Sequence, residues 1–104
     1  MKRVIASIRL KSTTDGGRST PISTAVHHAT AFFESVPALR KFGRDFRMLV
    51  GEHGNPILPG ETVREVALLF LFPDDVLPHL FSGLEFTIWE GKIIGTGTVL
   101  RVES

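Results

Sequence analysis

Residues Leu84–Val102 read LEFTIWEGKIIGTGTVLRV, and the fold turns on this stretch. Leu84, Phe86 and Ile88 alternate with Glu85, Thr87 and Trp89, a two-residue period that places apolar side chains on one face of a strand. Glu90-Gly91-Lys92 turns the chain, and Ile94–Val102 runs back with Gly95 and Gly97 two apart on one face. Two strands with a short turn form a closing hairpin, so the chain is expected to be built from antiparallel neighbours.

Working outward, the same signals recur. Thr62–Phe72 is apolar on both faces from Val66 onward, as in a strand covered on both sides, and Pro73-Asp74-Asp75 breaks it. In Val4–Lys11, Ala6, Ile8 and Leu10 alternate with Ser7, Arg9 and Lys11. Thr24–Phe33 and the shorter Phe46–Val50 complete the set of strand candidates. Between these two, Ser35 can cap a helical turn with Pro37 inside it, Leu39 and Phe42 sharing its inner face and Gly43 ending it. This is the single helix expected. Six short strands divided by Gly- and Pro-rich turns argue for an all-β sandwich or barrel.

A chain of 104 residues provides for one domain, taken as residues 1–104, and one core. Twelve Lys and Arg against eleven Asp and Glu give a net charge of +1, so any nucleic-acid surface must be local. The absence of cysteine excludes a disulfide framework, a thiolate nucleophile and a Cys-based zinc site, and it fits the cytoplasm as the expected location. The longest apolar run, Val66–Phe72, is too short to cross a bilayer as a helix, so no membrane contact is expected.

The stretch Asp15–Ile22, DGGRSTPI, carries more chemistry than a plain turn but lacks the spacing and the lysine of a phosphate loop. No nucleotide, and no other cofactor, is expected. Gly16 and Gly17 supply turn backbone, Pro21 keeps Thr20 extended, and Arg18 is expected to pack over the next loop. His27 and His28 are adjacent and so point to opposite faces of a strand, while His53 and His79 sit in loops without ligand spacing; no metal is expected. No serine stands in a nucleophile elbow and no base accompanies a nucleophile, so no enzyme is expected. One charge cluster stands out. Arg40, Lys41, Arg44 and Arg47 are interleaved with Phe42 and Phe46, a composition that either grips phosphates beside a stacked base or forms a solvated turn over core phenylalanines.

Four ordered segments, Asp15–Pro21 (DGGRSTP), Leu58–Val63 (LPGETV), Leu84–Gly91 (LEFTIWEG) and Ile94–Val99 (IGTGTV), resemble the C-terminal domain of bacterial elongation factor Tu, from about Arg3 to Val102. The resemblance implies a small closed six-stranded antiparallel β-barrel with a short helical turn inserted, and it makes DGGRSTP the family's first long turn. The family's contact positions differ here. Where it carries a glutamine that helps hold the T stem of tRNA, this chain has Ala29; where it often offers Lys or His before a proline, this chain has Phe72. Two family arginines become Glu85 and Trp89. A barrel kept while its contacts change implies a stand-alone binding module linked to translation. A protein partner is expected on Trp89, Glu85, Phe81 and Arg18, with RNA or tRNA on Arg40, Lys41, Arg44 and Arg47 as the alternative.

Overall fold

Alternation becomes burial strand by strand. In β1 (Arg3–Leu10) Val4, Ala6, Ile8 and Leu10 are buried while Arg9 stays in water, and in β3 (Arg44–Met48) Phe46 and Met48 point inward between exposed Asp45 and Arg47. The computed structural model describes residues 2–103 and adds β2 (His27–Phe32), β4 (Thr62–Phe70), β5 (Glu85–Trp89) and β6 (Ile93–Glu103). The strands close into an antiparallel barrel in the order β1-β4-β3-β2-β5-β6. The barrel alternative is therefore the correct one, and the expected hairpin is β5–β6, its turn held by Glu90 N–H donating to the Lys92 carbonyl at 2.8 Å.

The middle of the barrel is filled by a ring of phenylalanines. Phe33 packs on Phe86 and Phe70 with centroids 5.1 and 5.9 Å apart, and Phe46 packs on the same two rings at 6.4 and 5.6 Å. Gly97 lies opposite Phe86, and a Cβ there would overlap the Phe86 ring. The bare face expected from Gly95 and Gly97 is thus where β6 makes room for an aromatic, which lets six short strands close around large side chains.

The helical turns lie elsewhere than expected. Residues Ser35–Phe42 form a run of turns: Leu39 and Arg40 both donate to the Val36 carbonyl at 2.9 Å, and Val36 and Leu39 are buried. Phe42 does not share the inner face with Leu39 but is exposed. Regular helix appears instead as α1 (Val50–His53) and α2 (Pro73–Val76), the latter followed by a 3-10 turn at Leu77–His79. Pro73 sits where a helix tolerates proline, at its first turn, and Gly54 ends α1 in a left-handed conformation. The expectation of cover on both sides of β4 holds for Val66–Leu68, which are buried, whereas Leu71 beyond the strand is exposed.

The long turn after β1 is scaffold. Gly17 N–H donates to the Ser12 carbonyl at 2.9 Å, and a Cβ on Gly17 would overlap the Lys11 carbonyl, so the tight return of the chain requires glycine there. Ile22 then bridges to Ile57, and both are buried. Among the described residues no helix is long and apolar enough to cross a membrane.

Candidate docking face

Register places side chains from four strands and the chain after β4 in rows on the outer wall. Thr30 of β2 stands opposite Trp89 of β5 and Asp45 of β3, and Leu71 donates its N–H to the Asp45 carbonyl at 3.0 Å. The next row along the strands is His28, Arg47 and Leu69. Between Trp89 on one side and Leu71 on the other lies a shallow depression of about 430 Å³, floored by Ala29, Thr30 and Asp45. Thr30 Oγ1 donates to Asp45 Oδ1 at 2.8 Å, which fixes the polar floor.

Apolar side chains gather around that floor. Trp89 is 42% exposed and Leu71 53%, while Phe72 and Phe42 are 65% and 62% exposed and line an adjoining depression that shares Asp45. Phe32 meets Trp89 edge-on with centroids 6.3 Å apart. Exposed apolar residues scattered singly need no explanation, but a group of this kind around a concave floor marks an interaction surface.

The rim is anchored from below. Glu90 accepts from Arg18 Nη1 with one carboxylate oxygen, and its other oxygen lies 2.6 Å from His27 Nε2. Arg18 Nε also donates to the Thr20 carbonyl at 3.1 Å. All three side chains are mostly buried, so this network ties the long turn and the start of β2 to the β5–β6 turn that carries Trp89. Arg18 was expected over the next loop; it bonds instead to Glu90 in the β5–β6 turn, directly after Trp89.

The four residues expected on a protein surface do not form one patch. Trp89 and Arg18 lie at the same end of β5. Glu85 begins that strand, about 13 Å away at 3.3 Å per residue, and exposed Phe81 lies in the loop before it. The basic cluster is divided as well. Arg47 points outward beside His28, whereas Arg44 follows the inward phase of β3 and is half-buried with its Nε enclosed. Arg40 and Lys41 are exposed on the preceding turn, Lys41 with its ammonium 5.7 Å from the Phe42 ring. Phe46, one of the two aromatics interleaved with these cations, is buried in the core.

Thr30, Asp45, Leu71 and Glu90 were missed by sequence reasoning because cross-strand register assembles them. The available signal was the outward phase of β2, which gives Thr30 and Phe32. Among the described residues no group of three His, Cys, Asp or Glu side chains could hold a metal ion. His27 and His28 face opposite ways, as adjacent strand residues must. No protein-family model matches the chain, and no curated protein matches it significantly.

Proposed function

We propose that this chain is a non-catalytic binding module of the elongation factor Tu C-terminal domain type, and that it docks a protein partner through the Trp89 face. The observation that carries this reading is the grouping of exposed Trp89 and Leu71 around one depression and of exposed Phe72 and Phe42 around an adjoining one that shares Asp45. A large aromatic beside a pocket is the usual anchor of a protein interface. Two of these residues, Trp89 and Phe72, stand where the resemblance would put cations, so apolar surface replaces charge at positions of contact. The link to translation and a cytoplasmic setting rest on that resemblance and on the absence of cysteine. The scatter of the basic cluster, with Arg47 outward and Arg44 on the inward phase of β3 and Arg40 and Lys41 on the turn before it, favours the protein partner over RNA, since phosphate gripping needs cations on one surface.

The test is affinity capture with the wild-type chain and with Trp89→Ala, from nuclease-treated and untreated lysates. Capture that survives nuclease and is lost with Trp89→Ala supports the reading. Capture that vanishes with nuclease and is indifferent to Trp89 overturns it in favour of RNA.

A further inference from the structure

Trp89 has little of its own to hold it. Its ring is exposed and meets one aromatic neighbour, Phe32, in a T-shaped pair. Its backbone forms the last rung of two ladders, opposite Thr30 of β2 and Ile93 of β6, and the rung with Ile93 follows a register shift after Ile88. A ladder end opens locally more readily than the middle of a sheet.

What restrains this end is the side chain next in sequence. Glu90 is bonded to Arg18, 72 residues away along the chain, and to His27, 63 residues away. Both partners are themselves fixed. The Arg18 carbonyl accepts from Thr13 Oγ1 at 2.7 Å while its Nε donates to the Thr20 carbonyl at 3.1 Å, and His27 begins β2 opposite buried Met48 of β3. All three side chains of the network are mostly buried, where water competes poorly for their contacts. Glu90 lines the depression beside Trp89, but Arg18 and His27 do not. Any influence of either residue on docking must therefore pass through Glu90.

Resting on the protein-docking reading, we propose that Arg18 and His27 are positioning residues for Trp89. Through Glu90 they clamp the end of β5, so the indole stands beside the depression in a narrow range of orientations before a partner arrives. Ordering the anchor in advance removes that cost from binding. The part expected of Arg18 changes accordingly: it holds a contact residue and is not one.

Trp89 is the chain's single tryptophan, so its fluorescence reports this ring alone. The experiment is time-resolved fluorescence anisotropy and amide hydrogen exchange on the full chain, comparing wild type with Arg18→Met and Glu90→Gln, each checked by its melting curve. In wild type the indole should turn mainly with the barrel. Both variants should raise the amplitude of fast local rotation about twofold or more and speed exchange at the Glu90 amide about tenfold. The Leu49 amide, bonded to the Ala67 carbonyl at 2.9 Å on another part of the wall, should change far less. The double variant should be no more mobile than Glu90→Gln alone, since Arg18 acts through Glu90. Arg18→Met should also weaken nuclease-resistant capture several-fold.

The proposal is overturned by a Trp89 ring equally restrained in all variants, by additive effects of the two changes, or by equal acceleration at the Glu90 and Leu49 amides, which would make the network a general brace. Capture that is lost with Trp89→Ala but unmoved by Arg18→Met removes the positioning role and leaves the docking reading standing. A ring freed as expected, beside capture indifferent to Trp89→Ala, removes the docking reading and leaves the clamp.

Discussion

Glu90 accepts from two directions, Arg18 on one oxygen and His27 on the other, and each partner comes from a different part of the chain. Removing the carboxylate leaves a mostly buried guanidinium without its acceptor, which costs more than the bond itself was worth. Glu90→Ala is therefore expected to lower stability by about 2 kcal/mol in chemical denaturation, whereas Arg47→Ala on the outer wall, which breaks no ion pair, should change it little. Gly97 makes the complementary point about shape. Its absent side chain is the space that Phe86 occupies, and that ring is held by Phe33 and Phe46. Gly97→Ala is expected to cost roughly 1–3 kcal/mol by overpacking, and an unchanged melting temperature would contradict the packing described. The glycine pair was visible in the sequence, but the residue that needed the space was not, because that depends on β5–β6 register.

At the scale of elements, the strands were legible because a half-buried strand writes its burial into a two-residue period, as β3 and β5 do throughout and β1 does from Ala6 onward, its outward Ile5 being buried as well. The short helices were not, since four residues provide no period to detect. Ser35–Phe42 had the composition of a capped helix, but its turns bury Val36 and Leu39 in the core and leave Phe42 outside. The docking face was legible only in part: Trp89 stands out by type, while Thr30, Asp45 and Leu71 join it through cross-strand neighbours. α1 illustrates how such a short element is fixed. Arg3 of β1 donates to Glu52 of α1 at 2.7 Å and holds its carboxyl below the ordinary value of 4.5. A folded-state value below the unfolded one means the pair's contribution is fully present above the ordinary range and is lost as pH falls through the folded value. The stability difference between wild type and Glu52→Gln is thus expected to be small at neutral pH, as for an exposed pair, and to disappear on acidification below the carboxylate range. A difference that grows as the pH falls would reverse the assignment.

For the whole molecule, the decisive matter is whether the barrel is a platform separable from what it binds. The aromatic ring of Phe33, Phe46, Phe70 and Phe86 and the closed ladder hold the wall without Trp89, which is 42% exposed, meets Phe32 in a T-shaped pair and lies outside the buried core. Trp89→Ala should then cost only about 1 kcal/mol of stability, the scale of one exposed aromatic pair, while costing about 2 kcal/mol or more in partner affinity if the ring is the anchor of the contact. Salt supplies the second axis of the argument. A phosphate-gripping surface would lose affinity by orders of magnitude between 50 and 200 mM salt. An apolar anchor should lose no more than a few-fold, because screening acts on charges and not on apolar contact. Arg40→Glu combined with Arg44→Glu tests the basic cluster, since neither residue lines the depression between Trp89 and Leu71: Arg40 is exposed on a turn, and Arg44, on the inward phase of β3, borders only the adjoining depression. Binding is expected to survive that double change and moderate salt and to fail with Trp89→Ala. The opposite pattern, salt-sensitive binding that survives Trp89→Ala and disappears with the two arginines, would assign the molecule to RNA.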